Sequence, residues 1–286
     1  EQVGLLYKVG IRVVFVHGGG PQSTKLAADL GLETRFVQGR RVTDGASLDV
    51  ATMVLNGQVN TRILAACRDL DIPAVGISGV DAGLIRAIRR PPVKQTDGAS
   101  IDYGFVGDIE AVNADVLRKQ LDNGLMPVVS PLSCDESGTL LNINADTVAA
   151  AIAAELDAEK LILATGAPGI LRDRNDPQSL ISYVDRTALA ELRDSGKLAD
   201  GMLPKAAAID DAIAGGARHL RRAWITAGIA ALFTGIPLHA QDARVGLSAG
   251  YVTAGYDAPA TTSFEDRTGY GVGVFADVLV TPLQPL

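Results

Sequence analysis

Four short apolar runs constrain this chain more than any other feature: residues 13–16 (VVFV), 74–77 (AVGI), 127–130 (PVVS) and 161–164 (LILA). They are continuous rather than alternating, which is the pattern of strands covered on both faces. Helical stretches separate them, at 21–30, 44–56, 58–69, 114–123, 144–155 and 204–214. Pro21 suits a first helical turn, where its missing N–H removes no bond. Asn113 and Asn144 stand at N-cap positions, and Gly124 suits the left-handed residue that ends a helix. Gly215-Gly216 stops the last helix. Alternating strands and helices predict an α/β fold around a doubly wound, mainly parallel sheet. Hydrophobic residues make up 47% of the 286 and aromatics only 5%, so the core must be mostly Ala, Val, Leu and Ile.

The strand ends carry the next constraint. The first run empties into Gly18-Gly19-Gly20 and the second into Ser78-Gly79-Val80-Asp81. The third empties into Pro131-Leu132-Ser133 and the fourth into Thr165-Gly166-Ala167-Pro168-Gly169. In a parallel sheet these loops share the carboxyl edge, where ligands bind. Their small residues let backbone N–H groups approach a ligand closely.

A formal net charge of -7 argues against a general nucleic-acid binder, which needs a basic face. Cys67 reads as a small core residue and Cys134 as a loop residue; two unpatterned cysteines predict a reducing compartment without a disulfide framework. His17, His219 and His239 stand apart from any Cys or carboxylate cluster, so no metal site is expected.

Several motifs suit anion chemistry. His17-Gly18-Gly19-Gly20-Pro21 is a strand, a glycine turn and a helix start, where free N–H groups and the helix dipole favour an anion. His17 by itself reads as a packed strand-end residue. Gly39-Arg40-Arg41-Val42-Thr43-Asp44 sets two guanidinium groups before a helix, and an Arg fork suits a carboxylate; a solvated surface pair is the plainer reading. Asn142, Asn144 and Asp146 lie in a strand-to-helix passage. Asn144 and Asp146 would serve there as cap and first-turn carboxylate, or Asn142 and Asp146 would serve a polar substrate and nearby cations. Asp200-Gly201-Met202-Leu203-Pro204-Lys205 puts a Lys in a first helical turn, where the dipole disfavours it unless an anion is near. The HGGG run also occurs as an oxyanion loop, and Gly246-Leu247-Ser248-Ala249-Gly250 has nucleophile-elbow spacing. That elbow sits in a period-two pattern with no helix or His after it, which argues against a hydrolase.

In this order, HGGGP, GRRVTD, ISGVD, NINAD, TGAPGIL and DGMLPK resemble the acetylglutamate kinases of the amino acid kinase superfamily, over residues 1 to about 218. The resemblance implies a three-layer αβα sandwich and a cytoplasmic transferase in arginine biosynthesis. The reaction is phosphorylation of the side-chain carboxylate of N-acetyl-L-glutamate to an acyl phosphate, with ATP and Mg2+, by a homo-oligomer. By position, Gly19 and Gly20 would offer N–H groups to the substrate and the moving phosphoryl group. Arg41 would pair with the substrate α-carboxylate and Asn142 would bind the substrate. Asp146 would organise catalytic lysines, Lys205 would stabilise the transition state on the ATP side, and Thr165, Gly166 and Gly169 would border the nucleotide. The same resemblance extends to a kinase of lysine biosynthesis that acts on a carrier-bound aminoadipate. A catalytically inactive small-molecule binding remnant is a further alternative. The sequence departs from the family pattern in having no first-strand Lys before Glu1, Gly166 for an Asp, Val80 for a Lys, and no family strands beyond residue 218.

Residues 219–286 are expected to be foreign to this domain. Arg221-Arg222 precede an apolar stretch (223–236) and a polar start, so 221–241 has the layout of a secretory signal peptide in mid-chain. Residues 243–280 alternate with period two and resemble the opening hairpin of an outer-membrane barrel. Membrane contact is expected only through this tail.

Overall fold

The computed structural model describes residues 2–37, 40–94, 98, 100–158, 160–164, 170–171, 176, 178–181, 186–196, 205–207, 222–226 and 275–280. The chain opens with α1 (Gln2–Lys8), β1 (Arg12–His17) and α2 (Gly20–Asp29). A small ribbon of β2 (Phe36–Val37) and β3 (Arg40–Arg41) leads to α3 (Gly45–Thr52), a π-helical segment (Met53–Val59) and α4 (Asn60–Asp69). Then come β4 (Ala74–Ser78), β5 (Ile85–Arg89), β6 (Val93–Lys94), β7 (Ser100–Ile101), β8 (Gly107–Val112) and α5 (Ala114–Asp122). The second half holds β9 (Met126–Ser130), β10 (Leu132–Cys134), β11 (Leu140–Asn142), α6 (Ala145–Glu155), β12 (Lys160–Ala164), α7 (Arg186–Asp194), β13 (Arg222–Thr226) and β14 (Phe275–Val280).

All four strands expected from the apolar runs lie in one six-stranded sheet, ordered β13-β12-β14-β1-β9-β4. Its pairs are parallel except those of β14, which runs antiparallel between β1 and β12. Side chains that alternate along each strand build a core on each face. Val14, Val16, Val129, Leu161 and Leu163 pack on one side with α5 and α6 residues such as Leu117, Val148 and Ile152. Val13, Met126, Val128 and Ile162 pack on the other with Leu6 of α1 and Cys67 of α4. This makes the three-layer αβα arrangement, and it explains why the runs are continuous rather than alternating.

A second, four-stranded sheet (β11-β10-β5-β8) was not legible in the sequence. Its strands are short, and β5 buries only alternate residues (Ile85, Ala87) between charged ones, so no continuous apolar run marks it. Cys134 belongs to this sheet as the last residue of β10 rather than to a loop. The expected helices 44–56 and 58–69 are one continuous helical passage, because the π-helical turn carries the backbone through Gly57 without a break. Asn144 caps α6 as expected, accepting from the Thr147 N–H at 3.1 Å. Asn113 occupies the N-cap position of α5 but makes no side-chain cap bond. Gly124 has φ +72°, as its position after α5 demands. Of the expected helix 204–214, residues 205–207 are described and are helical.

Two pieces of the tail join the main sheet. Residues 222–226, expected within the apolar leader-like stretch, form the edge strand β13 beside β12. Residues 275–280, expected in a separate hairpin, pair along their length with β1 and β12. Residues 227–274 lie outside the described residues. Among the described residues no helix is long and apolar enough to cross a membrane.

Candidate active site

The carboxyl ends of β1 and β9, the first turn of α2 and the first turn of α6 converge on an open cleft of about 550 Å³. Gly19, Gly20, Arg41, Asn142 and Asp146 all line it, so one cleft brings together most of the residues singled out from the sequence. The glycine turn passes from β1 into α2. A Cβ at Gly19 would stand 2.8 Å from Leu55 Cδ2, so a larger residue there would displace Leu55 of the π-helical turn. No protein acceptor takes the N–H of Gly19 or Gly20 among the described residues. These donors, at the positive end of α2, belong to residues that line the cleft.

Arg41 sits at the end of β3 with its guanidinium folded onto α2. It donates to Thr24 Oγ1 at 2.7 Å and to the Gly20 carbonyl at 3.1 Å, and it lies 4.9 Å from the Phe36 ring centroid. Partial burial pulls its pKa down, yet a guanidinium remains charged at any ordinary pH. Asn142 ends β11, and its amide reaches Thr43 Oγ1 at 3.4 Å.

Asp146 lies in the first turn of α6 and is buried. Lys205, 59 residues away, sends its ammonium to both carboxylate oxygens at 3.2 Å and is buried as well. The anion that the first-turn position of Lys205 called for is thus the Asp146 carboxylate. Burial pushes the Asp146 carboxyl up and the Lys205 ammonium down, while each charge opposes the shift of the other. The result is a buried ion pair whose Asp146 member lines the cleft, in a setting of low polarity where the charges are weakly screened.

Thr165, Gly166 and Gly169, the expected nucleotide border, lie outside the described residues. Sequence reasoning passed over Arg90, which lines the cleft and is fixed by Asp108 through Nε and Nη2 at 2.9 and 2.5 Å. Its only signal was a pair of arginines before Pro91, indistinguishable from a surface pair. It also passed over Thr24, the partner of Arg41 one turn into α2.

A sequence profile of the amino acid kinase family matches residues 1–223. The acetylglutamate kinase of Myxococcus xanthus (strain DK1622) is 47% identical over 221 residues, covering 76% of this chain and 72% of that protein. The chain belongs to the acetylglutamate kinase family, within the amino acid kinases. A second relative, the acetylglutamate kinase of Methanopyrus kandleri, is 46% identical over 205 residues, with 72% of this chain and 82% of that protein covered. Among solved structures, smu.665 from Streptococcus mutans UA159 superposes with a TM-score of 0.67 at 26% identity, over 79% of this chain and 91% of that one. The amino acid kinase match takes in every candidate site residue through Lys205 and ends inside β13, before β14.

Proposed function

We propose that this chain is an acetylglutamate kinase, transferring the γ-phosphoryl group of ATP to the side-chain carboxylate of N-acetyl-L-glutamate. A carboxylate oxygen attacks the γ-phosphorus, the bond to the β-phosphate oxygen breaks, and ADP leaves with that electron pair. The single observation that carries this reading is one cleft lined by unpaired Gly19 and Gly20 N–H donors, Arg41 and Asp146, with Lys205 bound to Asp146. Both reactants are anions, and the protein's task is to hold them together and stabilise the charge of the transferring group.

In this reading Arg41 receives the α-carboxylate of the substrate and Asn142 a polar group beside it. Gly19 and Gly20 donate to the acceptor carboxylate and the moving phosphoryl oxygens. Lys205, set by Asp146, stabilises charge on the nucleotide side, with residues 165–169 as its border. Magnesium fits as an ion carried on the nucleotide phosphates, since it keeps several waters and takes few protein ligands; no cluster of three or more His, Cys, Asp or Glu occurs among the described residues. The kinase segment of this reading is residues 1–218, with a tail from 219 that lends two strands to its sheet. We place the enzyme in the cytoplasm, in arginine biosynthesis, as a homo-oligomer. The test is ATP-dependent hydroxamate formation from acetylglutamate and hydroxylamine by the full chain. Hydroxamate is the expected product; its absence at saturating substrates overturns the reading.

A further inference from the structure

His17 and Asn60 take no direct part in the chemistry above, yet both are buried polar side chains beside the glycine turn. His17 is fully buried and Asn60 is 5% exposed. Nδ1 of His17 lies 3.0 Å from the Gly18 carbonyl oxygen. A carbonyl only accepts, so Nδ1 carries the hydrogen. Nε2 lies 3.1 Å from Asn60 Nδ2, and the same Nδ2 donates to the Val128 carbonyl at 3.0 Å. An amide nitrogen has two hydrogens: one goes to Val128 and the other to a bare Nε2. Turning the amide over would set two acceptors against each other at Val128. The ring is therefore fixed as the neutral Nδ1–H tautomer. The fold keeps room for this arrangement, because a Cβ on Gly76 would fall 2.0 Å from Asn60 Oδ1.

The consequence reaches the cleft through one peptide plane. The Gly18–Gly19 bond is trans, so its C=O and N–H point in opposite directions. With the carbonyl drawn onto the buried ring, the Gly19 N–H is turned away from it, towards the cleft. We propose that His17 and Asn60 are positioning residues: Asn60 sets the tautomer of His17, and His17 locks the peptide that aims the Gly19 N–H at the reacting anion. This rests on the reading of the cleft as a phosphoryl-transfer site. It explains why a histidine without any contact to substrate stands immediately before three glycines.

Two substitutions of the same residue separate the two links. His17→Asn places an amide nitrogen near the position of Nδ1, so it can still donate to Gly18 but cannot reach Asn60. His17→Gln reaches towards Asn60 and leaves the Gly18 carbonyl without its donor. In the full chain, His17→Gln is expected to lower kcat about 100-fold, the usual loss for one misdirected donor, with less than about a threefold change in the KM for acetylglutamate. His17→Asn is expected to keep at least about ten times the kcat of His17→Gln. Equal losses in the two variants, or losses that simply follow stability in urea, would mean that the pair is structural and would overturn the proposal. The ring tautomer is read independently of turnover by 15N–1H correlation of His17. A proton on Nδ1 supports the anchoring and a proton on Nε2 overturns it. If the wild-type chain gave no hydroxamate, the reaction assigned to the cleft would fall, and the tautomer would still decide the anchoring.

Discussion

The ammonium of Lys205 lies 3.2 Å from each carboxylate oxygen of Asp146, and the two side chains are both 4% exposed. Removing one member leaves the other buried and unpaired, which costs about 3–5 kcal/mol. Lys205→Met and Asp146→Ala should each lose stability of that order in urea unfolding. The double variant should regain much of it, because no lone charge remains. Activity should stay absent in all three. A double variant whose loss equals the sum of the two single losses would show that the two side chains are not coupled.

Lys205 also sets an alkaline limit. Burial holds its pKa below the ordinary 10.5, with Asp146 opposing the shift. The ammonium is therefore lost at a lower pH than a solvated lysine would lose it. In the free enzyme kcat/KM should fall with rising pH before the usual lysine range is reached. Lys205→Arg, whose guanidinium does not deprotonate, should remove that limb from whatever activity it retains. A profile identical in the two proteins would assign the limb to another group.

Arg41 is held by Thr24 and the Gly20 carbonyl through Nη2 and by Thr34 through Nη1, which leaves Nε and one Nη1 hydrogen to meet a carboxylate. Arg41→Lys keeps the charge and loses the fork. Hydrogen bonds to charged groups contribute about 1.5–3 kcal/mol, so the KM for acetylglutamate should rise roughly 10- to 100-fold. The KM for ATP should move much less. Equal rises in both constants would place Arg41 outside the carboxylate subsite.

His17 gives stability a pH dependence of known sign. Burial lowers its pKa below the ordinary 6.5, so the native ring stays neutral where the unfolded ring takes a proton. The unfolded state then binds more protons, and stability rises with pH in that window. The contribution is present above about 6.5 and is lost as pH falls from there towards the native value. The slope is at most about 1.4 kcal/mol per pH unit for one proton. Subtracting the stability curve of His17→Asn from that of the wild type should isolate this slope. A flat difference between pH 7 and pH 5, pH values chosen to straddle the ordinary histidine range, would contradict a neutral buried ring.

Val278 of β14 is opposite Val14 on one side and Leu161 on the other. Proline there removes a donor from the middle of a sheet and leaves its buried carbonyl partner unpaired, at a cost of about 1–3 kcal/mol before any steric clash. Hydrogen exchange should show protection lost at residues 13–16 and 161–163 in Val278→Pro. Unchanged protection would mean that the tail does not contribute this strand.

The main sheet was legible because β1, β9 and β12 are largely buried on both faces and the edge strand β4 partly so, which writes continuous apolar runs into the chain. The glycine turn at 18–20 was equally legible, since few arrangements other than a strand-to-helix anion site use three glycines before Pro21. The second sheet was not, because β5 and β8 are half-exposed and alternate with charges that also suit loops. The π-helical turn at Met53–Val59 was hidden as well: Gly57 has the local appearance of a break, and only packing of Leu55 against Gly19 shows why the helix continues.

The sequence by itself determined the layer order, the edge of the sheet that carries the cleft, and the kinds of residue on that edge, because these follow from periodicity and local chain geometry. Only the tertiary structure decided the partnerships. Lys205 meets Asp146 across 59 residues and Asn60 meets His17 across 43. Such contacts are settled by how α4, α6 and the strands pack, and a solvated lysine or a core asparagine looks the same in the sequence until that packing removes the water.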